Sequence, residues 1–217
     1  METSNIRIRR DAFDRRRKDL GTVFSKLEQK RKDFVEKFPQ EGILALKLDE
    51  FVIGRGSKES FCYLLENELK SLGDIHGATS LKFGIYFGKT KTDPAKIYRF
   101  TRKFGDNYAE AFENVKGQIF YLLRAGRNDD YGAISDNKLS PMFKGKILVT
   151  YFPEKNINIF ADRHLNYYLE VLNLHYPETA DETEKRRILI GYKKTDATMA
   201  KWSNVEFSYF LWSNYHA

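Results

Sequence analysis

The chain has 217 residues, 41% hydrophobic and 15% aromatic, with 37 Lys and Arg against 30 Asp and Glu, a net charge of +7. That apolar mass excludes a wholly disordered chain, five Pro and 14 Gly exclude collagen-like and linker-like sequence, and no stretch approaches the ~18 apolar residues of a membrane span. One cysteine, Cys62, can form no internal disulfide, and the N-terminus lacks the apolar region of a signal peptide, so a reducing, cytoplasmic compartment is expected. The charge is uneven: residues 1–38 hold twelve Lys and Arg and seven Asp and Glu, an excess of five within the net +7. A basic chain suggests a polyanionic partner, most often nucleic acid, while a solvated helix face is the other reading of the N-terminal run.

Taken in chain order, 11–38 reads as one long helix, because Phe13, Leu20, Phe24, Leu27, Phe34 and Phe38 recur at helical spacings until Pro39. Residues 43–53 look strand-like. Gly54-Arg55-Gly56 is either a tight turn or a phosphate nest; it lacks the Walker Lys-Ser/Thr and the third Rossmann glycine. A helix is expected over 58–72, then two strands, 81–89 and 97–104, joined by a polar loop with Pro94. Alternation in the second strand points Tyr98, Phe100 and Phe104 one way and Arg99, Thr101 and Lys103 the other. A strong amphipathic helix follows at 107–125, with Asp106 or Asn107 as N-cap, and 127–140 reads as polar loop or one short turn. Residues 144–152 (KGKILVTYF) read as another strand, returning at 157–160 after a turn. The last third is helical: a helix capped by Asp162, a second over 182–192, and a final one over 204–215. Ser203 and Glu206 form a capping box there, with Trp202 and Phe207 as hydrophobic staple. The expected fold is α+β: a central mixed or antiparallel sheet from 43–53, 81–89, 97–104, 144–152 and 157–160, covered by amphipathic helices. The expected organisation is a basic helical segment 1–40, a core 41–160 and a helical C-terminal subdomain 161–217.

Catalytic signatures are lacking. His76, His164, His175 and His216 show no metal-ligand spacing, and there is no G-x-S-x-G, kinase set or P-loop, so neither catalysis nor a metal or other cofactor is expected. Glu28-Gln29-Lys30 has the E-x-K spacing of some nucleases but lies in a helical pattern, and Asp129-Asp130 has no evident partner. Binding fits better. Lys82, Lys89, Lys91, Arg99, Arg102, Lys103, Lys144 and Lys146 fall on or beside the expected strands, interleaved with Tyr86, Tyr98 and Tyr151. Basic groups contact phosphates and aromatic faces can stack a base. The competing reading places the aromatics in the core and leaves the lysines as solvation.

Three runs, 61–89 (FCYLLENELKSLGDIHGATSLKFGIYFGK), 139–174 (LSPMFKGKILVTYFPEKNINIFADRHLNYYLEVLNL) and 199–212 (MAKWSNVEFSYFLW), together about a third of the chain, resemble the N-terminal region of McrB-like (modification-dependent or LlaJI-type) restriction proteins and related prokaryotic defence proteins. The resemblance implies a target-recognition domain of a larger system. It implies binding of double-stranded DNA, by sequence or by a modified, possibly methylated, base, and an McrC-like nuclease as partner. A protein–protein adaptor, docking through Phe207, Phe210 and Leu211, and an RNA-binding protein are the alternatives.

Overall fold

The computed structural model describes residues 2–215; His216 lies outside them. The chain is mostly helical, with one small antiparallel sheet. Helices α1 (Glu2–Arg16) and α2 (Gly21–Lys37) replace the single expected helix. The break has a purpose in packing. Phe13 of α1 enters a C-terminal core with Trp202, Phe207 and Phe210, while Phe34 and Phe38, on and just beyond α2, enter the larger core. Gly21, a poor helix former, opens the second helix.

The 43–53 stretch is no strand. It forms a 3₁₀ turn, Gln40–Ala45, and a short helix α3 (Leu48–Phe51). Residues Phe61–Leu72 are helical as expected but irregular: α4 (Phe61–Tyr63) runs into a π turn and then a 3₁₀ turn. After α5 (Thr79–Phe83), β1 (Ile85–Gly88) pairs antiparallel with β2 (Ile97–Phe100) in the register Tyr86↔Arg99 and Phe87↔Tyr98. The expected hairpin is present but shorter, with 81–83 in α5 and 102–104 in a 3₁₀ turn, and the expected five-segment central sheet is absent: the sheet is two-stranded and minor. Gly54 has φ +104 and its missing Cβ would lie within bonding distance of the Phe87 carbonyl, so the Gly-Arg-Gly turn needs glycine to pass the hairpin.

Helix α6 (Tyr108–Arg127) is capped by Asn107, whose side chain accepts from the Glu110 N–H at 3.0 Å. Helix α7 (Tyr131–Asp136) occupies the expected loop, and α8 (Pro141–Tyr151) replaces the expected strand. Every residue from Phe143 to Thr150 is buried, so the apolar run is hydrophobic all round because α8 is an internal helix. A short apolar run cannot be told from a buried strand by periodicity. Gly126 lets α6 approach α8, since a Cβ there would meet Leu148 at 2.7 Å, and Gly145 of α8 leaves room for Phe160, which a Cβ would meet at 2.7 Å. Residues 157–160, expected as a strand, are irregular and join no sheet, with Ile157 and Ile159 in the C-terminal core and Phe160 in the larger one. Helices α9 (Asp162–Val171), α10 (Glu182–Thr195) and α11 (Asn204–Asn214) complete the fold. Asp162 lies in the first turn of α9 rather than at its cap. The expected capping box on α11 is present, with Glu206 N–H to Ser203 Oγ at 3.1 Å and Ser203 N–H to Glu206 Oε2 at 2.7 Å. Among the described residues no helix is long and apolar enough to cross a membrane.

Candidate nucleic-acid interface

The expected cationic surface divides sharply. Lys82, Lys144 and Lys146 are buried. Lys82 pairs with Glu66 and reaches the Ile75 carbonyl at 3.3 Å. Lys144 donates to the carbonyls of Ile134 and Ser135 at 3.0 and 2.9 Å, capping the end of α7. Lys146 donates to the carbonyls of Leu69 and Gly73, and burial lowers its pKa to about 7. An expected strand would have left both α8 lysines at a sheet surface; the internal helix turns them onto backbone carbonyls. None of the three is free to meet a phosphate in this structure.

Arg99 is also committed. Its guanidinium donates to the carbonyls of Gly88 at 2.8 Å and Ala95 at 3.0 Å, and to Asp93 Oδ2 at 2.7 Å, fastening the 89–96 loop to β2. That pairing holds the Asp93 carboxyl below its usual range. Tyr98 faces away from Arg99, as the alternation implied. Its hydroxyl donates to Asp49 and its ring stacks on Tyr108 with centroids 5.2 Å apart. Burial, then the Asp49 carboxylate, raises its pKa. Arg55 covers Phe87 and Tyr98 on that face. Tyr151 is spent too: its hydroxyl donates to the Phe38 carbonyl at 2.6 Å, and burial pushes its pKa up.

What remains is a coherent group. Lys89, Lys91, Arg102 and Lys103 are exposed, as is Lys96 in the same loop, and none makes an ion pair among the described residues. Tyr86 lies beside Lys89, Lys91, Thr90 and Thr92 in a shallow depression at the hairpin end. Lys96 and Arg102 flank β2, so the cations occupy both ends of the hairpin, about 20 Å apart at roughly 3.3 Å per residue. The N-terminal helices carry a second set. Arg10 and Arg17 are bound to Asp196 and Glu206, whereas Arg7, Arg15, Arg16, Lys18 and Lys26 are exposed and make no ion pair among the described residues.

A second, more enclosed cavity lies elsewhere and holds none of the expected site residues. A cleft of about 690 Å³ lies between α2, the 70–76 segment, the irregular 158–161 segment and α11. His76 and His164 both line it, as do Asn158, Tyr209 and Trp212. Burial, with the adjacent Arg163, lowers the His164 pKa. Sequence reasoning tested the histidines only for metal spacing and so passed over a cleft assembled from four distant segments. Among the described residues no group of three or more His, Cys, Asp or Glu is placed to hold a metal ion. Neither a protein-family model, nor a curated protein, nor a solved structure matches this chain.

Proposed function

We propose that this chain is a duplex-DNA-binding domain, of the target-recognition type that the McrB-like resemblance implies, gripping phosphates with the hairpin ends. The observation that carries this reading is the set of five exposed cations at the two ends of the hairpin, Lys89, Lys91, Lys96, Arg102 and Lys103, without ion-pair partners among the described residues, with Tyr86 beside Lys89 and Lys91. Unpaired surface ammonium and guanidinium groups release counterions when they meet phosphate, and threonine hydroxyls such as Thr90 and Thr92 add neutral donors. Five contacts at roughly −0.9 each give a log K against log salt slope of about −4 to −5. Recognition by sequence or by a modified base then falls to groups beside that grip, of which Tyr86 is the one aromatic of the expected three whose ring is not already stacked or packed in the core. In a full system, an McrC-like nuclease is the partner that would act on the bound DNA.

The adaptor reading depends on an exposed stripe of Phe207, Phe210 and Leu211, and all three are fully buried in the C-terminal core. The test is fluorescence anisotropy with methylated and unmethylated duplexes over a salt series. A slope near −4 to −5, falling by about one for each of Lys89→Ala, Lys91→Ala or Arg102→Ala, supports the proposal. A flat salt dependence, or stronger binding to RNA of the same sequence, refutes it.

A further inference from the structure

The cleft beside α11 has three properties that together specify a ligand. The first is uncovered aromatic surface. Trp212 and Tyr209 stand three residues apart on one face of α11 and remain 55% and 39% exposed, although both line the cavity. Tyr209 is fixed by an edge contact with Phe24 (5.6 Å), and Trp212 by one with His164 (5.2 Å), so each ring is oriented rather than loose. The second is an unused hydrogen-bonding group. The Asn158 side-chain oxygen is buried without any partner, while its backbone N–H is satisfied by Ser208 Oγ at 3.2 Å. A buried oxygen left without a donor is costly, and the half-buried Asn158, which lines the cleft, carries an amide N–H donor on the same side chain. The third is charge. Lys26, Lys30 and Lys70 border the cleft, against Asp74 as the one carboxylate among its lining residues. Lys70 and Asp74 are 3.4 Å apart and Lys30 pairs with Glu68 at 3.5 Å, which leaves Lys26 with no carboxylate partner among the described residues and an excess of positive charge around the cleft.

Phe160 and Gly73 line the cleft in close contact: Gly73 has φ +95, and a Cβ there would lie 2.5 Å from the Phe160 ring. Lys146 donates to the same Gly73 carbonyl at 2.6 Å. A volume of about 690 Å³ is within the range of ordinary small-ligand sites.

We infer that the cleft binds a nucleoside phosphate: an aromatic base against Tyr209 and Trp212, its N–H-bearing edge on Asn158, and its phosphate on the lysines at the mouth. A free mononucleotide and a single unpaired nucleotide of a DNA strand share this chemistry, and the experiment separates them. The inference does not depend on the hairpin surface, so either can fail alone.

Trp212 supplies the readout. The other tryptophan, Trp202, is 2% exposed and bonded to Asp14, so quenching by a ligand in the cleft reports Trp212. The full chain is titrated with each deoxynucleoside 5′-monophosphate, with the parent nucleosides and inorganic phosphate, and with duplexes carrying no or one unpaired nucleotide. Calorimetry follows the variants that lack the fluorophore. Saturable binding of a mononucleotide, stronger than that of its nucleoside or of phosphate alone, is expected. The affinity should fall about tenfold in Trp212→Ala and severalfold in Asn158→Ala and Lys26→Glu, and stay unchanged in Lys89→Glu/Lys91→Glu. Saturation only by the duplex with an unpaired nucleotide, with the same response to Trp212→Ala and Asn158→Ala, assigns the site to a strand. Saturation by neither, or binding unaltered by both Trp212→Ala and Asn158→Ala, overturns the inference. Trp212 and Lys26 are exposed, so their loss leaves the fold intact to be tested.

Discussion

Phe13 is the residue by which the N-terminal helix joins the C-terminal core, and its removal measures that union. Its ring is 1% exposed, edge-on to Trp202 with centroids 4.8 Å apart and tilted against Phe210 at 5.5 Å. Truncating a fully buried Phe to Ala costs about 3–5 kcal/mol in lost transfer energy and residual cavity. At about 2–4 °C per kcal/mol for a chain of this size, Phe13→Ala should lower Tm by about 10 °C. The loss should also be visible locally. The Trp202 indole N–H donates to Asp14 Oδ1 at 2.8 Å, one residue from the cavity, and Arg17 bonds the same carboxylate at 2.9 Å. In a Trp212→Phe background the remaining Trp202 emission should shift to the red as water reaches the ring. Val23→Ala, at a 55% exposed position of α2, should change stability by less than about 0.5 kcal/mol. Calorimetry and denaturant titration decide the matter. A Phe13→Ala cost below about 1 kcal/mol, with Trp202 emission unmoved, would show that α1 is not part of the C-terminal core and that the reasoning is wrong.

Lys146 gives a signed pH effect. Its native pKa lies at about 7 against 10.5 for an ordinary lysine, so between those values the unfolded chain holds the extra proton and stability rises with pH. The neutral amine still has two N–H groups for the two carbonyls it serves. Relative to Lys146→Met, the wild type should therefore gain a few kcal/mol from pH 7 to 10.5, at about 1.4 kcal/mol per pH unit at most; parallel curves for the two proteins would refute this. Gly73→Ala forces a Cβ to 2.5 Å from Phe160 and 2.8 Å from the Asn158 carbonyl at a positive φ, and should cost at least about 2 kcal/mol in urea titrations while weakening ligand capture in the cleft. Arg99→Ala should accelerate hydrogen exchange across 89–96, because the clasp to Gly88, Asp93 and Ala95 is lost. Arg99→Lys should not restore protection, since one ammonium cannot reproduce the fork. Unchanged exchange together with lost DNA discrimination would instead make Arg99 a base reader.

The features legible in the sequence are those whose interactions close within a few residues. The Ser203–Glu206 capping box, the amphipathic stripe of α6 and the strand alternation that separates Arg99 from Tyr98 hold as read, and of the two expected caps, Asp106 and Asn107, the structure uses Asn107, because each depends on spacing within a few residues. What the tertiary structure decided is everything set by distant partners. KGKILVTYF has the composition of a strand, yet it is α8, since a segment surrounded on all sides needs its backbone hydrogen bonds satisfied internally and only a helix supplies them without strand neighbours. The fate of the lysines follows the same logic. Lys116 meets the Leu44 and Leu46 carbonyls and Lys146 those of Leu69 and Gly73, more than 65 residues away in the chain. Part of the basic character therefore caps backbone carbonyls inside the molecule rather than facing a polyanion, and no local pattern distinguishes an internal ammonium from one in water. The cleft is the extreme case. Phe24, Lys70, Asn158 and Trp212 carry no mutual spacing in sequence, and only the meeting of α2, the 70–76 segment, the 158–161 segment and α11 turns them into a site.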